Sequence, residues 1–492
     1  MEPCPDELKM ASRFEQTFEN LYAHLNVSGQ NALLSVYGLI YKHRRLGTHF
    51  RPFVEEFRKR DRWSNSLMQA YLDENLRRIL LHAWDEVPYY KDLWYSSGLS
   101  RQRLAHFQLQ DLNCLPVTAK ADLRLKPLSF IASAAARHRR PLREMTSGST
   151  GEPVVVTSTP ELQQAFLAAR EARSFGWAGT SILRPRATIG GRRVVPRANS
   201  RGPYYRYNWA ERQCYFSAFH ISPSHVADYV EGLNRYRPQV LTGYSSSYCS
   251  LARMMLANNL KLDYRPDALV LWADQLTPGM KVVIQEAFGA RPYEEYSSAE
   301  NAVLATECEH GSLHVSSDFG IVEILDDEDQ PVSPGKPGRI ICTSLLNNVQ
   351  PLIRYDIGDF ASWSEGPCRC GRDHLPVLGG LVGRLEDTIV GPDGREVVRI
   401  FANLNLRNVI ASQIVQERLN LLRVKVIPTN DFCKQDELLI QETIAARRLG
   451  DVRVEVECVS ELERTERGKI RRVICRLTPE EKEKLKPSAV SL

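Results

Sequence analysis

Between positions 145 and 157 the chain reads Met145-Thr146-Ser147-Gly148-Ser149-Thr150-Gly151-Glu152-Pro153, followed by Val154-Val155-Val156-Thr157. Glycine lets backbone N–H groups approach an anion closely and Ser/Thr hydroxyls add donors, so this run has the chemistry to wrap a polyphosphate. A polar hairpin turn has the same composition. No Gly-Lys-Ser/Thr follows the first glycine at Walker spacing, which disfavours a P-loop NTPase. A second set of reactive types is Cys308-x-His310 and Cys368-x-Cys370, each flanked by glycine turns. Together they supply the three thiolates and one imidazole that suit tetrahedral zinc, provided the two pairs meet in the fold. His314 or His374 could substitute for a ligand.

The elements that must position these residues change in texture along the chain. Residues 64–87 carry Leu67, Met68, Tyr71, Leu72, Leu76, Ile79, Leu80 and Ala83 at spacings of three and four, a helical period. Val87-Pro88-Tyr89-Tyr90 breaks that period. From about Leu142 short β-rich runs alternate with helical stretches at 160–173 and 224–236, which predicts an α/β core. Strands are expected at 239–241, 268–272, 319–325, 338–344 and 386–390. Beyond them, strands at 421–428 and 452–459 with a helix over 435–449 read as a small α+β unit. The expected division is a helical segment over 1–95 packed on a large domain over 96–384, followed by a lid domain over 385–492.

The 492 residues are too many for one compact core, and the formal net charge of +5 is small for that length. It gives no case for nucleic acid as a partner. The basic runs at 42–45, 58–62 and 137–143 read as solvated faces with buried stems. No run of about 18 apolar residues is present and the first residues lack a signal pattern, so a cytoplasmic protein without a membrane partner is expected, monomeric or homodimeric. Eleven cysteines, mostly isolated in apolar segments, read as reduced.

The loop at 146–151 resembles the phosphate loop of the acyl-adenylate-forming superfamily, which contains acyl-coenzyme A synthetases, luciferases and peptide-synthetase adenylation domains. Four more segments are similar to that superfamily's, in its order. Glu294-Glu295-Tyr296-Ser297-Ser298-Ala299-Glu300 resembles the segment in which the aromatic borders adenine and the Glu serves magnesium, with Ser297 and Ala299 in place of glycine and threonine. Arg354-Tyr355-Asp356-Ile357-Gly358-Asp359 resembles the segment whose last Asp accepts both ribose hydroxyls, a task suited to two carboxylate oxygens. Gly383-Arg384-Leu385-Glu386-Asp387 resembles the hinge, with Arg384 near ribose and phosphate and Glu386 at the pivot. Arg464-Thr465-Glu466-Arg467-Gly468-Lys469 resembles the segment carrying the adenylation lysine.

Within the superfamily the chain looks most like the phenylacetate-coenzyme A ligase branch and its CapK-like relatives, through His82-Ala83, residues 87–91, 115–124 and 307–315. Past the hinge, Gly391-Pro392-Asp393-Gly394-Arg395 and residues 412–417 follow the CapK-like pattern. Where the superfamily loop often has Lys, this chain has Val154, as the phenylacetate branch also lacks it.

The resemblance implies ATP and magnesium as cofactors and a carboxylic acid, favoured as aromatic, as substrate. It places Thr146, Ser147, Gly148, Ser149, Thr150, Gly151, Ala273, Asp274, Tyr296, Ser297, Asp359 and Arg384 around ATP. Glu300 holds magnesium, and Lys469 bridges the carboxylate and the α-phosphate as a mobile point charge. The acid pocket falls beside Gly243, Tyr244 and Tyr248, with His220 a gate or a structural histidine. The acceptor is coenzyme A or a carrier-protein thiol, alternatively an amine, or the adenylyl group goes to a phenolic cofactor. A noncatalytic scaffold is disfavoured by the intact Glu300, Asp359, Arg384 and Lys469 set.

Overall fold

The computed structural model describes residues 21–133, 141–145, 154–192, 194–196, 201–384, 389–390, 396–397, 408–445, 452–464, 470–471, 473–478 and 481. The helical period at 64–87 becomes the helix Asn65–Glu86, which starts where the Ser64 hydroxyl accepts from the Leu67 amide. It stops because Val87, preceding Pro88, is driven to an extended backbone; Pro88 then opens the helix Pro88–Ser96. The buried stripe Met68, Leu72, Leu76, Ile79 and Leu80 packs into the same apolar cluster as Val315, Ile321, Ile340 and Tyr355 from the sheet. The N-terminal helices are thus one wall of the large core.

That core is built on one 12-stranded sheet. Its strands are β3 (Arg186–Gly190), β4 (Tyr205–Asn208), β5 (Gln213–Ser217), β6 (Val240–Tyr244), β7 (Ala268–Trp272), β8 (Pro292–Ser297), β9 (Leu304–Glu307), β10 (Leu313–Val315), β11 (Gly320–Leu325), β12 (Gly338–Ser344), β13 (Tyr355–Trp363) and β14 (Val377–Arg384). The strands β5-β3-β6-β7-β8 are parallel, and from β8 through β9, β10, β14, β13 and β12 to β11 every pairing is antiparallel. Before the sheet, β1 (Leu142–Met145) and β2 (Val155–Ser158) form an antiparallel ladder from Leu142↔Ser158 to Met145↔Val155.

On the parallel half, one face carries Ala187, Ile189, Cys214, Phe216, Leu241, Leu269 and Leu271 against the helices Val226–Tyr236, Ser245–Ala257 and Pro278–Phe288. The other face meets the helices Phe50–Arg60 and Pro160–Arg170. Gly243 has φ 137°, and a Cβ there would lie 1.9 Å from the Ile189 carbonyl, so β3 and β6 close together only with glycine at that position.

A second, four-stranded sheet has the order β19-β18-β17-β20, comprising β17 (Val409–Arg418), β18 (Leu421–Pro428), β19 (Arg453–Cys458) and β20 (Val473–Cys475). The helix Lys434–Ala445 buries Ile440 and Ile444 in its own apolar cluster with Ile414, Leu422, Val424 and Val426. The fold is mixed α/β with a separate C-terminal sheet, as the sequence led us to expect. Arg253 donates to the carbonyls of Val409 and Ile410, linking the helix Ser245–Ala257 to β17.

Two basic runs depart from the solvated-face reading. Arg60 is buried and pairs with Asp318 at 2.7 Å, beside the Arg173–Asp318 pair at 2.6 Å. Arg45 also turns inward. The described cysteines are free thiols.

Candidate active site

The antiparallel half brings three of the sequence-derived positions together. Tyr296 closes β8, and its hydroxyl donates to the Asp359 carboxylate of β13 at 2.8 Å, across the space between strands that are not neighbours in the sheet. Glu300, just beyond β8, is buried; the Tyr355 hydroxyl donates to it at 3.5 Å. Burial, and next the Glu300 charge, push the Tyr355 phenol far above its ordinary range, so it stays a neutral donor. Lys120, in the helix Lys120–Leu125, places Nζ 3.4 Å from Glu300 and donates to the Ile357 carbonyl at 3.4 Å. No role was expected for Lys120 from the sequence; its signal is only its place in the segment 115–124 that carries the family resemblance.

Arg384 is the register partner of Asp359 across β13 and β14. Ser297 pairs with Leu304 at the end of β8. Ala273 follows β7 in a left-handed backbone, φ 71°, a conformation costly for a residue with a Cβ. Asp274 spends a carboxylate oxygen on the start of the helix Ser245–Ala257, accepting from the Ser246 amide at 3.1 Å and hydroxyl at 2.5 Å. Gln275 donates to the Leu381 carbonyl at 2.9 Å, tying this turn to β14.

Thr146, Ser147, Gly148, Ser149, Thr150, Gly151, Glu386 and Lys469 lie outside the described residues. Their flanks are informative. The loop is based on the β1–β2 ladder, and β2 is fastened near β13 by Gln350 accepting from the Thr157 amide at 2.6 Å and Asn347 donating to the Thr157 carbonyl at 3.0 Å. On either side of 465–469, Arg464 bridges Ile470, and the buried Gln413 donates to the carbonyls of Glu463 at 3.1 Å and Arg471 at 2.7 Å. Burial lowers the pKa of Arg464, and the guanidinium interacts electrostatically with Tyr229. Tyr229 in turn donates to the Ser217 carbonyl at 2.5 Å, at the carboxyl end of β5.

The acid-pocket positions are placed as follows. Tyr248 is fully buried against Phe288, in the apolar cluster on the helix side of the parallel half. Gly243 acts through backbone closeness, as described above. Tyr244 stacks edge-on with Trp272 at 5.4 Å. His220 is buried, with Nδ1 2.7 Å from the Ser217 hydroxyl and its ring stacked on Tyr204 at 4.9 Å.

Cys308, Cys368 and Cys370 do converge, but with His314 rather than His310: the ligand atoms of these four lie within 4.8 Å of one another. The turn explains the exchange. Cys308 accepts from the Gly311 amide at 3.0 Å and donates to the Ser312 carbonyl at 2.9 Å, leaving His310 at the exposed tip. The returning strand β10 then sets buried His314 opposite Thr306. His314 Nδ1 lies 2.9 Å from the Leu375 carbonyl and Nε2 lies 3.3 Å from Cys370 Sγ, which leaves Nε2 turned to the cluster. Burial raises the Cys368 thiol pKa, but hydrogen bonds with Ser312, Cys370 and His314 outweigh it and bring the thiol down to about 6, in the thiolate range at neutral pH. Three sulfurs and one imidazole with a fixed outer partner fit zinc.

Against known proteins, the CapK C-terminal domain family matches residues 392–476. CapK of Staphylococcus aureus is 26% identical over 424 residues, 85% of this chain and 90% of that protein. The chain is a homologue of CapK and the phenylacetate-coenzyme A ligases. The ligase of Thermus thermophilus, 27% identical over 333 residues, covers 66% of this chain and 72% of its own length. Among solved structures, 2-hydroxyisobutyryl-CoA ligase in the postadenylation state superposes with a TM-score of 0.63 at 22% identity, over 84% of this chain and 90% of that one. This homologue of CapK therefore has the AMP-forming ligase fold, and on that scaffold Tyr296 bonds Asp359 while Glu300 bonds Tyr355.

Proposed function

We propose that this chain activates a carboxylic acid with ATP and passes the acyl group to a thiol, coenzyme A first among candidates. The substrate carboxylate attacks the α-phosphorus, a P–O bond forms to the acid, and the bond to the β-phosphate oxygen breaks, releasing pyrophosphate. The thiol sulfur then attacks the acyl carbon and AMP leaves. The observation that carries this reading is the double pairing of two segments distant in sequence, Tyr296 with Asp359 and Glu300 with Tyr355, which sets residues 296–300 against 355–359. Asp359 offers two acceptors to a ribose diol, Tyr296 orients that carboxylate and borders the base, and Glu300 would hold magnesium among oxygen ligands, in charge balance with Lys120. Lys469, in the stretch of chain between Glu463 and Arg471 whose carbonyls Gln413 holds, would neutralise charge developing at the α-phosphate. ATP–pyrophosphate exchange across a panel of acids, followed by mass spectrometry of products with coenzyme A, tests the reading. Exchange with no acid at all would reject it.

Zinc on Cys308, His314, Cys368 and Cys370 is proposed as a structural clip. It would tie the turn before β10 to the loop before β14 and so hold the antiparallel half together. Protein purified without chelator is expected to carry about one zinc per chain, a stoichiometry set by a single four-ligand site. Metal analysis far below that value would reject the clip.

A further inference from the structure

A cavity of about 160 Å³ lies on the face of the parallel half that meets the helices Val27–Arg45 and Pro160–Arg170. That is comparable with an engineered cavity of about 150 Å³ that holds benzene. Its floor follows from strand register: Arg186 pairs with Gln213, and Thr188 pairs with both Tyr215 and Thr242, so these side chains project from one face of β3, β5 and β6. Four arginines line it: Arg45, Arg170, Arg186 and Arg192.

Their charges do not balance. Arg170 pairs with Glu295 at 2.8 Å and Arg186 with Glu211 at 3.1 Å. Arg45 and Arg192 form no ion pair among the described residues. Arg45 donates through Nη2 to the Tyr41 hydroxyl at 2.6 Å, and Arg192 through Nη1 to the Tyr215 hydroxyl at 3.4 Å. Both guanidiniums also lie over the Tyr41 ring, at 3.7 and 4.9 Å from its centroid, and Arg44 lies over it at 4.6 Å, so three cations share one aromatic ring. Among the described residues two buried donors lining the cavity, Arg45 Nε and Trp272 Nε1, have no hydrogen-bond partner, nor does the buried acceptor Gln213 Oε1. Buried polar groups in folded proteins are normally satisfied, and buried charges are normally countered. Water would satisfy the donors, but the one carboxylate that acts on both Arg45 and Arg192, Glu211, is already paired with Arg186 and leaves the set with excess positive charge.

The cavity also has a direction. Arg186 and Gln213 begin β3 and β5, whereas Gly190, Gly191 and Trp272 stand at or just past the carboxyl ends of β3 and β7. Trp272 leads directly into Ala273 and Asp274. Ligands of open α/β sheets bind at that carboxyl edge, and four residue steps of strand span ~13 Å inward from it.

We infer that this cavity receives an anionic group, a carboxylate or a phosphate, at the far end of the acid substrate. The inference rests on the adenylation reading and deepens it. The acid is then one with two anionic ends: one carboxylate reacts at the carboxyl edge and the other group is held by Arg45 and Arg192. Gln213 adds a preference for a hydroxyl or amino group along the chain between them.

The test has two arms. In thermal-shift and calorimetric titrations without ATP, a series of C4–C6 dicarboxylates and inorganic phosphate are the probes. At least one dicarboxylate is expected to bind and stabilise the wild type, and Arg45→Gln to weaken it by about tenfold or more, the loss typical of a buried charge-assisted contact. Trp272→Phe, which keeps the ring and removes only the N–H, is expected to weaken it less. In ATP–pyrophosphate exchange, kcat/KM is expected to favour dicarboxylic or phosphorylated acids over monocarboxylates of equal length, and Arg45→Gln to reduce that ratio. Binding of phosphate alone, with no preference in exchange, would overturn the substrate-tail assignment in favour of free phosphate. No binding of any anion, or a preference untouched by both variants, would overturn the inference altogether. Anion binding that Arg45→Gln weakens, with no exchange on any acid, would instead reject adenylation.

Discussion

The two halves of the large sheet gather side chains of opposite charge. On the antiparallel half, carboxylates gather: Glu300 stands near the Lys120 ammonium at 3.4 Å, and Asp359 accepts from a neutral phenol at 2.8 Å. On the parallel half, guanidiniums gather, and Arg45 and Arg192 lean on tyrosines. Elsewhere in the same core, charges are fully matched, as where Asp318 accepts from Arg60 and Arg173 at 2.6 to 3.1 Å. Matched buried pairs hold structure, whereas Arg45 and Arg192, with no ion pair among the described residues, are cations that a ligand would counter, since leaving a charge buried without a counter-charge is costly. On the proposed reading one half takes a nucleotide and its cation and the other an anion.

Four substitutions would break or sharpen that contrast. The largest effect is expected from Lys469→Ala, which should cut exchange by about two or more orders of magnitude with ATP still bound, as for loss of other transition-state donors. Unchanged exchange would remove the lysine from the mechanism. Asp359→Ala should raise the KM for ATP by roughly 10- to 100-fold, the range for hydrogen bonds to a charged group, with a smaller change in kcat. An unaltered KM would show that the carboxylate end is not the nucleotide end.

Cys370→Ser should release zinc and lower the melting temperature by ~5 °C or more, read by metal analysis and calorimetry on the same sample. Retained zinc would move the ligand set elsewhere. The smallest change belongs to Tyr296→Phe, which keeps the ring and removes only the hydroxyl bonded to Asp359. An increase of about threefold in the KM for ATP is expected, in line with one neutral donor lost. A loss as large as that of Asp359→Ala would mean that the hydroxyl, rather than the ring, carries the contact with nucleotide.

Much of the scaffold was legible because its causes are local. The helical period at 64–87, Pro88 as a break, and the apolar runs 268–272, 338–344 and 421–428 all form the elements expected, with those three strands bounded as read. The pairing of Cys308 with Cys368 and Cys370 was also legible as chemistry in search of proximity. His310 was misjudged because ligand choice depends on which residue returns along β10 after the Gly311 turn, and a one-residue change of register reverses the facing. For Tyr248 the sequence does not choose between core and pocket wall, because an aromatic on a helix reads the same whether its helix turns it to a pocket or to Phe288.

The sequence alone therefore determined the segments, their secondary structure and the reaction chemistry their residue types permit. Such properties follow from neighbours a few positions apart, where spacing and backbone preference act. Only the tertiary structure decided which charges meet. Lys120 reaches Glu300, and Arg45 reaches the floor of a cavity begun by Arg186, across separations of well over a hundred residues. Burial and strand register set those encounters, and no local pattern encodes either.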